Sequence, residues 1–377
     1  MNRAKFTLLV FVMIVSWLMG CTAANERRIE PWESSSSDPE STDTESSSQT
    51  DAENDTNADA EEILPDCSSC PAVGTDLEHL RCAIDLCDDS VFVDQEYGSP
   101  TCKNEKTVTA SRAAVRRFGS ATNDLTPLYP EQDGSYALMA TGKAVPKSPV
   151  DPYDHNSTLC STLLQPHGPS IPDPYAPSEH PSFDVVEWKL RLVAPQQADG
   201  IRIHYVFFSV EYDEYVGREF NDKFYMFLNG PQTTGGKDQI INFTSCRPNI
   251  AKPDFLCPAG QLGCKEGQGY CYVAVNSALS ECCWYDGCTT AAFNTDIGGT
   301  GFECGTEATD YVGNYSMGFT YGSSTGWLVT TWPVEPGEEL TLTFHLHDTA
   351  DSFLDSEVII DKVVFVKNAT AGTVPVM

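Results

Sequence analysis

The sequence predicts an all-β protein: an antiparallel, jelly-roll-like β-sandwich with short helices and a disulfide-rich insertion. Three observations predict it. Segments that alternate apolar and polar residues recur along the chain. Turn residues separate those segments, as in a sandwich of antiparallel strands and unlike an α/β barrel or a helical bundle. Cysteines crowd two stretches, residues 67–102 and 246–304, where loops need covalent staples.

The clearest strand is VEWKLRLV. Val186, Trp188, Leu190 and Leu192 face one side and Glu187, Lys189 and Arg191 the other, the period-two pattern of a strand with one buried and one wet face. After the turn APQQADG, IRIHYVFFS puts Ile201, Ile203, Tyr205 and Phe207 on one face. FYMFLNG is a further strand closed by the Asn229-Gly230 turn, and LTLTFHLHD and SEVIIDKVVFV add two or three more. Upstream, DGSYALMATGKA reads as turn, strand, turn, and residues 145–182, rich in Pro, Ser and Asp, as a long connection. Near the start of the folded part, DLEHLRCAIDLC places Leu77, Leu80 and Ile84 at helical spacing and predicts a short helix. Residues 108–118 are expected to form another, with Arg112, Arg116 and Arg117 as a solvated face or an internal charge partner.

The N-terminus has the pattern of an export signal. Arg3 and Lys5 precede an apolar run from Phe6 to Met19, short for a membrane span of about 20 residues. The junction LMGC resembles a bacterial lipobox, whose cysteine thiol, here Cys21, receives lipid. Thr22, not Asp, follows it. By resemblance to lipoprotein sorting in two-membrane bacteria, this directs the chain to the outer membrane of the cell envelope, with exposure at the cell surface left open. Residues 1–20 are thus expected to be removed. Residues 21–66 form an acidic tether rich in Ser and Thr, with too little apolar surface to offset the entropy of ordering. Residues 67–377 form one β-sandwich domain, with a cysteine-rich segment at 67–106 and a cysteine-rich insertion at 242–305.

Cysteine arithmetic agrees with export. The chain has 15 Cys; lipid on Cys21 leaves an even number for disulfides, which persist in an oxidising compartment. Five lie in residues 67–102, so at least one pairs outside that stretch or stays free, and Cys160 is the nearest partner in sequence. Cys67-Ser-Ser-Cys70 has the spacing of a zinc half-site or redox pair, but no second pair stands at finger spacing. The net charge of −31 repels nucleic acid and anionic lipid and attracts cations.

The segment FFSVEYDEYVGREFNDKFYMFLNGP at 207–231 resembles the central signature of the choice-of-anchor L domain. HDTADSFLDSEVIIDKVVF at 347–365 resembles its C-terminal signature, ATGKA at 140–144 its early strand and glycine turn, and DVVEWKLRLVAP its first long core strand. The resemblance covers roughly residues 107–366 and implies a domain of secreted bacterial surface proteins whose attachment varies; it does not imply an activity. The cysteine-rich segment and insertion depart from the family pattern and resemble elaborations of myxobacterial-type lipoproteins.

The carboxylates carry the chemical expectations. Glu211, Glu214, Asn221 and Asp222 fall in the central motif, and Asp348, Asp351 and Asp355 in the C-terminal one. Two acidic loops at neighbouring strand ends can supply the six to eight hard oxygens that calcium takes. Glu211, Asn221, Asp222, Asp348, Asp351 and Asp355 are therefore the expected ligands of a structural calcium ion, against the alternative that they cap turns. His345 and His347 share a strand face and with Asp348 make a weaker zinc set. There is no H-E-x-x-H, P-loop or dinucleotide glycine motif. Tyr212, Tyr215, Trp284, Tyr285, Tyr311, Tyr315, Tyr321, Trp327 and Trp332 fall at expected loops and strand ends, where aromatics stack on sugars or anchor proteins; the core can equally claim them. The expectation is a non-enzymatic envelope lipoprotein that binds, adheres or scaffolds, held to the membrane by its lipid, with an extracellular glycan or protein as partner and no nucleic acid. A carbohydrate-active hydrolase and a purely structural envelope protein are the alternatives.

Overall fold

The computed structural model describes residues 60–65, 67, 70, 73–116, 130, 134–144, 159–161, 167–209, 211, 219–245, 255–257, 259, 262, 266–267, 269–275 and 323–375. They form two antiparallel sheets around a shared core. The first runs in the order β17 (Gly372–Pro375), β14 (Leu328–Pro333), β7 (Gly200–Ser209), β16 (Ser356–Lys367), β4 (Tyr136–Ala140), β3 (Arg112–Val115), with β1 (Glu61–Ile63) on β16 and β13 (Ser323–Ser324) on β7. The second runs β10 (Phe243–Ser245), β12 (Gly269–Ala274), β8 (Lys223–Asn229), β15 (Glu339–Thr349), β6 (Ser182–Val193), β2 (Phe92–Gly98), with β11 (Phe255–Leu256), β5 (Ser170–Ile171) and β9 (Gln239–Ile240) alongside. Successive long strands change sheet: β6 to β7, β7 to β8, β14 to β15 and β15 to β16. The chain is therefore a disulfide-rich β-sandwich.

The inner faces follow the alternation of the sequence. Val186, Trp188, Leu190 and Leu192 of β6 meet Phe224, Met226 and Leu228 of β8 and Leu342, Phe344 and Leu346 of β15. Ile201, Ile203, Tyr205 and Phe207 of β7, with Val358 and Ile360 of β16, cover them from the other sheet. Each such side chain, taken fully from water, contributes about 1.5–3 kcal/mol. A bulge after Ile360 shifts the phase of β16, so that Val363 and Phe365 rejoin the core. The outer face of the first sheet is buried too: Val206, Phe208, Ile359, Leu138 and Trp327 form a second apolar cluster. Trp332 is fully buried and Trp327 nearly so, so both are core residues, not binding aromatics. The other seven aromatics named above lie outside the described residues.

The structure moves two boundaries. A first helix, α1 (Leu77–Cys82), forms where Leu77 and Leu80 predict it. The helix expected over 108–118 does not: α2 spans Glu105–Ala110, and residues 112–115 are β3. Asn104 caps α2 by accepting a bond from Thr107 N, and Ser111 Oγ donates to Val108 O at its end. Pairing of β3 with β4 then overrides helical propensity. Arg112 is an internal partner, lying 4.8 Å over the Tyr97 ring and donating to Thr75 O. Glu61–Ile63, which fall within the stretch expected as a tether, pair with β16, and Ile63 packs on the core.

Three disulfides join described cysteines: Cys67–Cys87, Cys70–Cys82 and Cys102–Cys160. Cys67 and Cys70 thus belong to different bridges and make neither a redox pair nor a zinc half-site, and Cys160 takes the odd cysteine of the first cluster. Cys257 and Cys271 of the insertion are also disulfide-bonded; its other six cysteines lie outside the described residues.

Candidate functional site: a buried acidic end of the sandwich

At one end of the sandwich β4, β7 and β15 finish while β6, β8 and β16 begin. The residues there continue the inward-facing rows. The even-numbered positions that put Val186 and Trp188 in the core lead back to Asp184. Phe224 and Met226 lead back to Asp222, Phe344 and Leu346 lead on to Asp348, and Val358 leads back to Ser356. On odd-numbered rows Met139 leads to Thr141, and Phe207 to Ser209 and Glu211. The apolar core therefore gives way at this end to a layer of carboxylates and hydroxyls.

Asp222 ties the layer together. Its Oδ1 accepts a bond from Thr349 N at 2.8 Å, and its Oδ2 accepts one from Ser356 Oγ at 2.6 Å, joining the two sheets. The Asn221 carbonyl accepts from Thr349 Oγ1 at 2.8 Å. Thr141 closes the other side, where its Oγ1 accepts from Ser356 N at 3.0 Å and its own N donates to Ser356 O. Asp184 stands at a left-handed φ of 44° and accepts from Leu159 N at 2.9 Å through Oδ2. A bulge between Leu346 and Asp348 marks the point where β15 leaves the register of β6.

Asp184, Asp222, Asp348 and Asp355 are at most 1% exposed. Neither carboxylate oxygen of Asp348 has a hydrogen-bond partner, and Oδ1 of Asp184 has none either. Burial pushes the Asp348 carboxyl well above the usual range; Asp222, Asp184 and Asp355 push it further, and the Thr141 hydroxyl offsets part of the shift. Burial likewise raises Asp222 to about 7, and burial with the nearby Asp355 charge raises Asp184 to about 7.

The expected ligands are thus only partly gathered. Asp222, Asp348 and Asp355 come together, with the Asn221 backbone beside them. Glu211 is buried just past β7. Asp351 sits half-buried on the loop and accepts from Phe353 N, so it serves that turn. Glu214 and Cys21 lie outside the described residues. Asp184 belongs to the cluster and to neither acidic motif; its signal in the sequence is a carboxylate on the core-facing row of β6. Among the described residues no three His, Cys, Asp or Glu side chains already stand at metal-binding separation.

A second polar group occupies the opposite face of the second sheet. His345 Nδ1 lies 3.0 Å from Glu187 Oε1, and His345 Nε2 lies 3.1 Å from His347 Nδ1. His347 Nε2 lies 3.4 Å from Asp173 Oδ2. Lys223 Nζ donates to Asp173 and to Glu179, and Tyr225 OH donates to Asp173. Burial lowers His347 to about 4, and the bond from His345 leads the causes that hold Glu187 at about 2. The two imidazoles face each other and these acids, whereas Asp348 lies with the cluster inside the sandwich.

The stretch GSSTG at 322–326 has the G-x-S-x-G spacing of a serine nucleophile elbow. Ser323 and Ser324 instead form β13 against β7, and an elbow requires a strand-to-helix turn. No family model matches the chain, and neither does any curated protein or solved structure.

Proposed function

We propose that this protein is an extracytoplasmic, lipid-tethered β-sandwich module that binds or scaffolds and does not catalyse. The observation that carries the reading is the sealing of its convergent carboxylates. Asp184, Asp222, Asp348 and Asp355 have essentially no surface open to solvent. A glycosidase needs two acids about 5–9.5 Å apart across a cleft that admits the sugar. Acids closed into the end of a core serve the fold.

The tether reading rests on LMGC with Cys21 and on the acidic stretch that follows. The family reading rests on the two signatures at 207–231 and 347–365, which resemble the choice-of-anchor L domain. An acidic surface disfavours nucleic acid and anionic lipid and leaves an extracellular glycan or protein as the partner.

Two measurements test this. Fatty-acid labelling of the full-length chain in a bacterial host is expected to mark wild type and to be lost in Cys21→Ser, which would then leave the membrane fraction; equal labelling of both sinks the tether. Incubation of the detergent-solubilised protein with a panel of envelope and extracellular polysaccharides is expected to yield retention without new reducing ends. Reducing ends released in proportion to protein would make the chain a hydrolase.

A further inference from the structure

We propose that the acidic end of the sandwich is a calcium site, centred on Asp184, Asp222, Asp348 and Asp355, that joins the two sheets. The site recentres the set read from the acidic motifs: Asp184 enters it, and Asp351 serves its own turn. The inference is independent of the lipid tether and of the partner, because it concerns what holds the fold.

The geometry points to a cation before any one ligand is considered. Four carboxylates stand near one another where water does not reach. Among the described residues no Lys, Arg or His forms an ion pair with Asp184, Asp222 or Asp348. The nearest strong cation in sequence, Lys223, turns to the other face of the sheet and is taken by Asp173 and Glu179. Buried charge without a counter-charge is strongly unfavourable.

The decisive group is Asp348. It is 1% exposed, it lies among the other acids, and both of its oxygens lack a hydrogen-bond partner. A buried polar atom with no partner costs about 1–3 kcal/mol, more when it is charged, and native folds rarely leave one so. Oδ1 of Asp184 is a second such atom. Bound to an ion, these three oxygens gain the partner they lack. Among the described residues no three such side chains stand at metal-binding separation, so binding requires Asp348, whose two oxygens have no hydrogen-bond partner, to turn toward the other acids. Asp222 keeps its bonds to Thr349 and Ser356 and still has lone pairs to offer.

The donor chemistry selects the ion. The described groups of the layer offer oxygen: carboxylates, the hydroxyls of Thr141 and Ser356, and backbone carbonyls. His345 and His347, the imidazoles nearest Asp348 in sequence, are engaged on the opposite face, and His167 packs edge-on against Phe353 beside Asp351; sulfur and imidazole nitrogen are what zinc and copper favour. Magnesium holds its waters and suits open sites; calcium accepts a crowded, flexible cage of protein oxygens. The ion would replace the repulsion among the acids with a clamp between β8 and β15 of one sheet and β16 of the other. It would also hold the left-handed turns at Ala350 and Leu354 that connect β15 to β16.

The test uses the full-length chain in detergent, purified without chelator. Elemental analysis is expected to find about one calcium per chain. Chelation should lower Tm, and calcium at about a hundredfold over its Kd should restore it by about 5 °C, with magnesium ineffective. Asp348→Asn keeps the side-chain shape and removes the charge. It should bind no calcium, lose the calcium response, and match or exceed the Tm of chelated wild type, because one repelling charge is gone. Asp184→Asn should behave alike, and Asp351→Asn should keep the response. Terbium luminescence on wild type gives a reading that does not depend on any variant folding. A wild type with no bound divalent ion and no Tm change on chelation overturns the site, as does an Asp348→Asn protein that responds to calcium like wild type.

Discussion

Lys223 Nζ stands 3.0 Å from Asp173 Oδ2, and neither side chain reaches solvent. The pair pins the connection that precedes β6 against the outer face of the second sheet. Asp173 also accepts bonds from Tyr225 OH and from the amides of Tyr175 and Ala176. Burial alone would raise the Asp173 carboxyl, but His347 and the Lys223 charge hold it far below the usual range. Such a pair is not a source of net stability; removing one member is what costs.

The first prediction follows from that asymmetry. Lys223→Met leaves Asp173 charged, buried and short of its lysine partner, and should cost about 3–5 kcal/mol by urea denaturation at neutral pH. Adding Asp173→Asn should recover a large part of the loss, because the orphaned charge disappears. Additive losses in the double variant would show that the two residues act separately.

A second prediction concerns Cys102–Cys160, which closes the longest described loop, with a sequence separation of 58. Replacing both cysteines with serine should cost about 2–5 kcal/mol. The loss should not be confined to stability. Leu159, next to Cys160, donates its amide to Asp184, so the bridge also positions one acid of the end layer. The double variant is therefore expected to bind calcium more weakly than wild type, which titration by terbium luminescence measures.

The strands were legible where one face is wet. In β6, Glu187, Lys189 and Arg191 alternate with a buried row, and sequence and structure agree residue by residue. β7 and β16 are buried on both faces, so alternation marks them as strands but says nothing about what covers the second face. Arg112–Val115 reads as the end of a helix because local spacing cannot register the pairing with β4. The acid cluster was half legible. Asp222 and Asp348 stand out within acidic motifs, whereas Asp184 comes from a distant strand and is found only by following the core-facing rows to their ends. Glu62 was hidden by composition: amid the acidic run of residues 51–66, nothing local separates it from its neighbours.

A third prediction rests on Asn242. The sequence Asn242-Phe-Thr has the form of a glycosylation acceptor, yet the side chain is fully buried. Its Oδ1 accepts from Met226 N at 2.7 Å and its Nδ2 donates to Phe224 O at 2.9 Å. The amide therefore acts as a rung of the sheet beside β8. Asn242→Ala strands a backbone donor and a backbone acceptor in the core and should cost about 2–4 kcal/mol. Asn242→Asp can still accept but cannot donate while ionised, and should cost at least as much at neutral pH. A loss under about 0.5 kcal/mol for Asn242→Ala, typical of a surface change, would exclude the structural role.

The fourth prediction sets two adjacent glutamates of β1 against each other. Glu62 meets Lys362 Nζ at 2.6 Å, Arg202 at 3.4 Å and His204 at 3.7 Å, and its side chain is 20% exposed. Glu61 meets Lys367 at 3.0 Å and is largely exposed. Burial works to raise the Glu62 carboxyl, but the neighbouring His204 imidazole and Lys362 ammonium overcome it and lower the group from 4.5 to about 2. The folded state therefore binds the Glu62 proton more weakly than the unfolded chain. The resulting stability is present above about pH 4.5 and is lost as pH falls from there toward about 2. Glu62→Gln should be destabilised by about 1.5–3 kcal/mol at neutral pH, and the gap to wild type should narrow as pH falls through that window. Glu61→Gln should change stability by under about 1 kcal/mol at any pH, because an exposed pair is worth little. Denaturant midpoints measured across the acid range decide the matter: a gap between wild type and Glu62→Gln that stays constant with pH would mean that the side chain's packing, not its charge, holds β1 to the sandwich.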